Sequence, residues 1–140
     1  MRFVAFHCTK FAYRVKSKGR SPVVEPLTDD NREGSAEEVV ALFLAVEKSD
    51  EASPGVVDRV ADWVAGHLRR LKVGNVALLS FAHLFCELSS PEFALDATVE
   101  LGRKLGGRGF DVLRVPFGYF NELEMVAKGH PISRVSRRFD

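Results

Sequence analysis

The sequence lacks the features that mark several common classes of protein. Its two cysteines, Cys8 and Cys86, have no spacing typical of a zinc site and allow at most one disulfide. The 20 Lys and Arg residues nearly balance the 19 Asp and Glu residues, so no surplus of charge points to a nucleic-acid duplex or an anionic membrane as the partner. We therefore expect reduced thiols and a surface of mixed charge.

Long apolar segments and several familiar catalytic motifs are absent as well. The apolar stretch after Met1 reaches only as far as Lys10, which is too short for a signal peptide or a membrane span. No Gly-x-Ser-x-Gly nucleophile elbow and no Walker loop occur, which argues against a serine hydrolase of that type and against a P-loop protein. These absences predict a cytoplasmic protein without a membrane partner.

The residues that are present have the composition of an ordinary folded domain. Apolar residues make up 46% of the chain and charged residues 28%, far from the composition of a disordered segment. A length of 140 residues matches the commonest domain size. The sequence therefore predicts a single domain over residues 1–140.

The N-terminal part of the chain predicts strands, with one ambiguous segment. "RFVAFHC" and "KFAYRVK" alternate as two β-strands would, with a turn at Thr9-Lys10. Ser17 to Gly34 has two prolines and no sustained period, which predicts a long loop. In "SAEEVVALFLAVEKSDE", Ser35-x-x-Glu38 is typical of a helix capping box, whereas the apolar run Val39 to Val46 is typical of a buried strand.

Two helices and three further strands are predicted after that segment. Ser53-Pro54 is expected to begin a helix that ends at Gly74, with Val57, Val60, Val64, Leu68 and Leu71 on its core stripe. Asn75 to Phe81 is predicted to be a buried strand, and Ser90-Pro91 is expected to begin a second helix that glycines 106–109 close. "FDVLRVP" and "NELEMVAK" follow as strands, so the order predicts a mixed α/β domain with two main helices packed on a sheet.

His83 is the residue most suggestive of chemistry, because it directly follows a predicted buried strand. In sheets flanked by helices, ligands tend to bind at strand ends, which favours a site at His83. "VPFGYFN", Val115 to Asn121, is a second candidate: its turn could form an aromatic wall beside exposed backbone groups, or simply close a hairpin.

Other patterns leave structural explanations open. "GGRG" at Gly106 to Gly109 follows a predicted helix, whereas a phosphate loop precedes one, so a helix end is favoured. His83 and Cys86 lie three residues apart, as in a Cys–His pair or half of a metal site, but no third ligand has a recognisable spacing. The basic clusters "RVKSKGR" (14–20) and "RVSRR" (134–138) are either solvated surface or phosphate contacts.

Four stretches together resemble one known family. They are "HCTKFAYRVK", "AEEVVALFLAVEKSDE", "FAHLFCELSSPEFA" and "PFGYFNELEMVAKGHPISRVSR", and they occur in matching order along nearly the whole chain. The sequence resembles the N-terminal editing domain of archaeal threonyl-tRNA synthetases, most specifically in "FAHL", "PFGY" and "KGHP". The chain is therefore expected to be a single editing domain that forms part of a longer synthetase.

The resemblance implies a fold, an activity and partners. The fold would be the D-aminoacyl-tRNA deacylase-like one, a mixed α/β domain with a largely antiparallel sheet and two main helices, assembled as a homodimer. It also implies that Val39 to Val46 is a strand. The activity would be hydrolysis of L-seryl-tRNA(Thr), assisted by the 2′-hydroxyl of the terminal adenosine, without a metal or another cofactor. The partners would be the serine-carrying 3′ end of tRNA(Thr) and the remaining synthetase domains or a separate synthetase chain.

The resemblance also implies roles for particular residues. Substrate-binding positions that match the family are Val46, Glu47, Ala82, Phe117, Tyr119 and Phe120. His83 and Asn121 occupy the catalytic positions, with His83 near the adenosine ribose, where it would orient the substrate rather than attack it. Many relatives have a lysine in place of Asn121 and an acidic residue in place of Arg134. If that lysine helps to place water or substrate, Asn121 cannot supply its charge.

Two other functions stay open beside this one. A D-aminoacyl-tRNA deacylase would share the fold, but its "SQxT" and "GPVT" signatures are absent and the chain contains no glutamine. A non-catalytic module that binds an amino acid or an RNA 3′ end is a rival of a different class, and Asn121 and Arg134 are the residues that favour it.

Overall fold

The computed structural model describes residues 1–140 as six strands and two helices with two short 3₁₀ turns. The strands are β1 (Arg2–Lys18), β2 (Glu33–Ala45), β3 (Asn75–Ser80), β4 (Asp111–Arg114), β5 (Tyr119–Ala127) and β6 (Arg134–Arg138). The helices are α1 (Val56–Leu71) and α2 (Pro91–Gly107), and the 3₁₀ turns are Lys48–Ala52 and Ala82–Leu84. Neither helix combines the length and the apolar character that crossing a membrane would require.

All six strands form one mixed sheet. Its order is β4-β3-β2-β1-β5, and β6 pairs with the first part of β1. β1 is antiparallel to β2, β5 and β6, whereas β2, β3 and β4 are parallel to one another. The predicted fold class, a mixed α/β domain with a largely antiparallel sheet and two main helices, is confirmed.

The predicted turn at Thr9-Lys10 is wrong, because β1 continues through it as one strand. The pairing with β5 shifts by one residue between Cys8 and Lys10, which is the signature of a β-bulge. Glu38 on β2 has a positive φ of 44°, so the neighbouring strand is irregular as well. The sequence signal that suggested a turn is therefore a bulge inside a continuous strand.

The ambiguous segment before α1 is a strand, as the resemblance implies. Val39 to Ala45 pair with β1 on one side, and Val39 to Leu44 pair with β3 on the other. This central position buries every residue from Val39 to Glu47. Burial on both faces produces the unbroken apolar run and outweighs the local capping-box signal.

The first helix begins later than predicted, and the second begins as predicted. Gly55, with a φ of 73°, is the N-cap of α1, while the Ser53 hydroxyl accepts a hydrogen bond from Arg59 at 2.9 Å. This start makes Val56, rather than Val57, the first fully buried valine of α1. In α2, Ser90 Oγ accepts from the backbone N–H of Phe93 at 3.3 Å, which is the expected cap.

The sheet has two different faces. On the helix face, 19 buried residues, most of them from β1, β2, β3, α1 and α2, form the larger core cluster, which includes Leu42 and Leu78. The loop face carries a smaller cluster of nine buried residues, among them Tyr13 and Leu79, and no helix. The loop that follows β1 reaches this second face, where the hydroxyl of Tyr13 donates to the carbonyl of Asn31 at 3.0 Å.

Candidate functional site

Three parallel strands end side by side, and the connecting segments that follow them lie at the same end of the sheet. β2 leads into Val46-Glu47, β3 into Phe81 to His83, and β4 into Val115 to Phe117. The N–H of Phe81 donates to the carbonyl of Leu44 at 2.7 Å, and the N–H of Val115 donates to the carbonyl of Leu78 at 2.9 Å. The carboxyl ends of parallel strands are a common ligand-binding position in α/β sheets.

A cavity of about 300 Å³ opens at this end of the sheet, on its loop face. Six residues singled out from the sequence line it: Ala82, His83, Phe117, Tyr119, Phe120 and Asn121. Leu79 and Ser80 from the end of β3 and Arg20 from the loop after β1 complete part of its wall. The structure thus brings the segment around His83 together with the "PFGY" segment, which lies about 35 residues further along the chain.

A larger hollow of about 580 Å³ lies on the sheet surface, and it has a different character. Its walls include Lys10 paired with Glu124 and Arg14 paired with Glu33, both at 3.0 Å. Only two of its nine lining residues are apolar, and it contains no histidine or cysteine. The smaller cavity is therefore the better candidate for chemistry.

Aromatic packing sets the position of His83. The imidazole packs edge-on against the ring of Phe81, with 5.2 Å between ring centroids, and Phe81 packs edge-on against Phe43 at 5.3 Å. His83 itself is exposed and makes no hydrogen bond within the chain. Its nitrogens are therefore available to a ligand, while the stack that begins on β2 limits where the ring can lie.

The turn of the "PFGY" motif approaches the loop after β1 so closely that only glycine fits. Gly118 has a φ of 96°, and a Cβ there would lie 2.5 Å from Val24 Cγ1. The N–H of Gly19 donates to the carbonyl of Gly118 at 2.8 Å. Glycine therefore supplies both the left-handed conformation and the close contact of two backbones.

Glu25, a residue that the sequence analysis missed, holds the same turn from the loop side. Its carboxylate accepts from the Arg114 guanidinium in a two-pronged ion pair and from the N–H of Phe117 at 2.9 Å. The N–H of Glu25 donates to the carbonyl of Phe117 at 3.0 Å, and the hydroxyl of Tyr119 donates to the carbonyl of Glu25. An acidic residue in a loop about 90 positions away gives no local pattern from which this contact could be predicted.

Asn121 places an unsatisfied polar atom beside the cavity. Its Nδ2 donates to the carbonyl of Tyr119 at 3.2 Å. Its Oδ1 is buried and has no hydrogen-bond partner in the chain. A buried amide oxygen without a partner is costly, so a ligand or a water that donates to it would be stabilised there.

Val46 and Glu47 lie at the same end of the sheet but outside the lining of the cavity. The carbonyl of Val46 accepts from the N–H of Ser89 at 3.1 Å. The Glu47 carboxylate, 1% exposed, lies 3.1 Å from the Met1 ammonium and 2.9 Å from Arg2. Burial alone would raise the pKa of Glu47, but the hydrogen bonds from Met1 and Arg2 outweigh it and hold that pKa below its usual range.

The residues considered for a metal or a thiol nucleophile are separated. The 3₁₀ turn that contains His83 ends at Leu84, and Phe85 is extended, so Cys86 does not share a helical face with His83. Nowhere do three or more His, Cys, Asp or Glu side chains converge as metal ligands. Burial raises the pKa of the Cys8 thiol to about 11, which leaves Cys8 as a small core residue.

The remaining sequence candidates have structural surroundings. His130 Nε2 lies 2.8 Å from Nδ1 of His7, and burial together with the nearby Lys128 and His130 lowers the pKa of His7. The "GGRG" segment ends α2, with Gly109 at a φ of 91°, as the sequence predicts. Neither feature contributes to the cavity at the strand ends.

Comparison with solved structures finds this architecture elsewhere. The chain aligns over its whole length with 99% of a solved structure named c-Myc DNA Unwinding Element Binding Protein, with a TM-score of 0.72. The sequences are 8% identical, so this likeness shows the fold alone. Fold and cavity together define a mixed α/β domain with a candidate ligand site at the carboxyl ends of its parallel strands.

Sequence comparison identifies the family. A family model described as the archaea-specific editing domain of threonyl-tRNA synthetase matches residues 1–139. The threonine–tRNA ligases of Thermococcus onnurineus and Methanobrevibacter smithii are 38% and 37% identical to this chain, in alignments that cover 98% of it. This chain belongs to the family of archaeal threonyl-tRNA synthetase editing domains. It spans about a fifth of the length of these two relatives, since the alignments cover 22% of each.

Proposed function

We propose that this domain hydrolyses L-seryl-tRNA(Thr) to serine and free tRNA, as the proofreading step of threonyl-tRNA synthesis. The observation that carries the proposal is the cavity that combines His83 with the "PFGY" turn at the strand ends, in a chain of the editing-domain family. The domain would act in the cytoplasm as one part of a longer synthetase, or beside a separate synthetase chain.

The chemical need for such a site follows from the size of the two amino acids. A threonine-activating site cannot strongly reject serine, because the loss of one methyl group is worth only about 1–3 kcal/mol. A second, hydrolytic site must therefore remove the error. An aminoacyl ester is already activated, so that site has to place a water, stabilise the oxyanion and exclude the correct product.

Backbone groups and the RNA itself would supply the chemistry. Water attacks the ester carbonyl, and the bond to the ribose 3′ oxygen breaks to release serine. The 2′-hydroxyl of the terminal adenosine would assist the water, while His83 orients the ribose. Backbone N–H groups at the strand ends and turns would stabilise the oxyanion.

Substrate selection would depend on a rigid wall. Glu25 and the glycine contact fix the "PFGY" turn. Widening the cavity around an additional methyl group would break these contacts and cost free energy. We propose that Phe117, Tyr119 and Phe120 bind the seryl group and its adenosine, with Ala82 close to the ester. Val46 and Glu47, which follow β2, would help to form the binding site at the same end of the sheet. Threonine would be excluded by a clash or by loss of a bound water.

The free edge of the sheet supports the proposed homodimer. β5 pairs with β1 on one side only, and no strand covers its other edge. Several large apolar side chains are exposed on this strand, including Phe120 at 55% and Val126 at 52%. An unpaired edge strand with exposed apolar side chains favours pairing with another chain. We propose that a second copy covers β5.

A non-catalytic binding module is the second candidate, and Asn121 is the observation that favours it. The amide carries no charge, and its buried Oδ1 can accept a hydrogen bond without promoting a reaction. Such a module would bind a seryl-adenosine group and release it unchanged.

Deacylation assays distinguish these functions. The substrates are L-seryl-tRNA(Thr), L-threonyl-tRNA(Thr), a D-aminoacyl-tRNA, and seryl-tRNA that ends in 2′-deoxyadenosine. We expect rapid hydrolysis of the L-seryl ester alone, abolished by the 2′-deoxy change. No hydrolysis of any substrate, with retained binding of a seryl-adenosine analogue, would instead support the binding module.

Variants assign the residues within the same assay. His83→Ala should lower kcat/KM for the seryl ester by about 10²-fold, because even a small misplacement of the ribose is costly. His130→Ala is the matched control, since His130 contacts His7 outside the cavity, and its activity should stay near that of the unmodified domain. Equal losses in both variants would contradict the role proposed for His83.

A further inference from the structure

The two basic clusters of the sequence have different surroundings. In the C-terminal cluster, Arg138 lies 3.2 Å from Asp140 and 3.5 Å from Glu47, and the Arg137 guanidinium lies over the Trp63 ring at 5.1 Å. Lys16, Lys18 and Arg20, which we call the basic strip, are all exposed, and their side chains form no ion pair or hydrogen bond. Three neighbouring cations are therefore left without partners.

Two members of the basic strip, Lys18 and Arg20, lie beside the cavity. Arg20 is part of the cavity lining. Lys18 is directly opposite Tyr119 in the pairing of β1 with β5. Residues opposite each other in an antiparallel pair project to the same face of the sheet, so Lys18 is on the face to which Tyr119 belongs.

The position of the strip relative to the cavity is fixed by the backbone. Gly19, between Lys18 and Arg20, donates its N–H to the carbonyl of Gly118 at 2.8 Å. A Cβ on Gly19 would lie 2.9 Å from that carbonyl oxygen, so the two segments are in tight contact. The Glu25 carboxylate does not neutralise the strip, because it is paired with Arg114. The backbone of the strip is thus held beside the turn, while its side chains carry positive charge without an ion-pair partner.

We propose that Lys18 and Arg20 bind backbone phosphates of the RNA strand that enters the cavity, with Lys16 adding to the local potential. This inference rests on the proposed function, in which the terminal nucleotide occupies the cavity. The terminal adenosine is linked to the rest of the RNA through its 5′ phosphate, so the nearest phosphates pass the mouth of the cavity. Cationic side chains there would hold the strand without reading its sequence.

The double variant Lys18→Gln/Arg20→Gln tests the strip. Its matched control is Arg69→Gln/Arg70→Gln, which removes the same charge from exposed positions near the end of α1, away from the cavity. Two readouts are used for each protein. The first is binding of a synthetic RNA hairpin with a single-stranded CCA 3′ end, measured as a function of salt concentration. The second is hydrolysis of seryl-tRNA(Thr) and of seryl-adenosine, which has no phosphate.

The strip variant should bind the hairpin at least about tenfold more weakly at low salt, and the slope of log affinity against log salt should fall by roughly 1.4, which is 0.7 per lost phosphate contact. For seryl-tRNA(Thr), KM should rise while kcat changes little. For seryl-adenosine, which has no phosphate, KM should rise much less than for seryl-tRNA(Thr). The Arg69/Arg70 control should behave as the unmodified domain.

The outcomes separate the strip from the proposed activity. Unchanged hairpin affinity and salt slope in the strip variant would overturn the inference, whether or not the domain hydrolyses seryl-tRNA. An equal loss in the strip variant and the α1 control would also overturn it, because only net charge would then matter. A domain that hydrolyses no ester but binds the hairpin through the strip would contradict the proposed activity and support the phosphate contact.

Discussion

The two faces of the sheet are built for different purposes. On the helix face, 19 buried residues pack between the sheet and two helices. On the loop face, the cluster has nine residues, and beside it lie the cavity, the close backbone contact at Gly118 and the unsatisfied Oδ1 of Asn121. The apolar area buried by the helices provides most of the stability, which allows the other face to keep features that cost free energy.

The largest expected effect comes from breaking the core on the helix face. Leu78 is fully buried on the interior strand β3, so Leu78→Ala should lower the free energy of unfolding by about 2–5 kcal/mol. Urea denaturation measures the change. Val99→Ala on the exposed surface of α2, where Val99 is 42% exposed, is the control, with an expected loss of about 0.5 kcal/mol or less. Similar losses for both variants would show that the helix face is not the main source of stability.

Glycine-to-alanine substitutions should have opposite signs on the two faces. Gly118→Ala combines a left-handed φ of 96° with a Cβ contact of 2.5 Å, and we expect a loss of about 1–3 kcal/mol in the free energy of unfolding. Hydrolysis of seryl-tRNA should fall by about 10²-fold because the cavity wall moves. Both are measured on one preparation, by denaturation and by deacylation.

Gly66→Ala in α1 provides the matched comparison. Nothing lies within 4 Å of a Cβ at Gly66, so alanine should stabilise the protein by about 0.4–1 kcal/mol and leave deacylation unchanged. A loss of stability at Gly66, or a neutral result at Gly118, would contradict the difference between the faces.

Removing the charge of Glu25 should separate activity from stability. The Glu25→Gln side chain keeps its shape but loses the ion pair with Arg114, so the free energy of unfolding should fall by about 1–2 kcal/mol. Because Glu25 positions the "PFGY" turn, kcat/KM for seryl-tRNA should fall by more than the decrease in the folded fraction of the protein explains. Glu33→Gln, which removes an exposed partner of Arg14, is the control and should change neither property. A normal kcat/KM in Glu25→Gln would contradict the positioning role.

The contribution of Glu47 should appear as a dependence of stability on pH. The folded-state pKa of Glu47 is lowered, so its contribution to stability is present above the unfolded carboxyl pKa of about 4.3 and is lost as pH falls through the folded value. Stability should therefore decline as the pH falls below about 5. Glu47→Gln should flatten that part of the profile in urea titrations at several pH values, and identical profiles would exclude Glu47 as a source of the acid sensitivity.

Local patterns predicted most of the elements but not how they continue into one another. Ser90-Pro91 begins α2 as expected because a cap needs only residues within one turn. Thr9-Lys10 was misassigned to a turn, since a bulge and a turn both interrupt alternation and only the strand partners distinguish them. The start of α1 was placed too early because the left-handed Gly55 competes with Ser53 as the cap.

The candidate site was predictable where strand ends and motifs coincide. His83 and the "PFGY" turn could be selected because a buried strand before a histidine, and a glycine between aromatic residues, are visible in order along the chain. Glu25 and Arg20 could not be selected in this way. Their roles depend on a loop that returns to the sheet roughly 90 residues before the turn it contacts, and no local signal encodes such a contact.

The sequence by itself determined the alternation of the strands, the two helices, the mixed α/β class and the family to which the chain belongs. These properties follow from side-chain periodicity, capping chemistry and motifs, all of which act over a few residues. Only the tertiary structure decided that β1 is a single strand, that Glu25 fixes the cavity wall, and that Arg137 and Arg138 meet partners while the side chains of the basic strip do not. Burial and charge pairing depend on which distant groups meet, and that becomes defined only when the chain has folded.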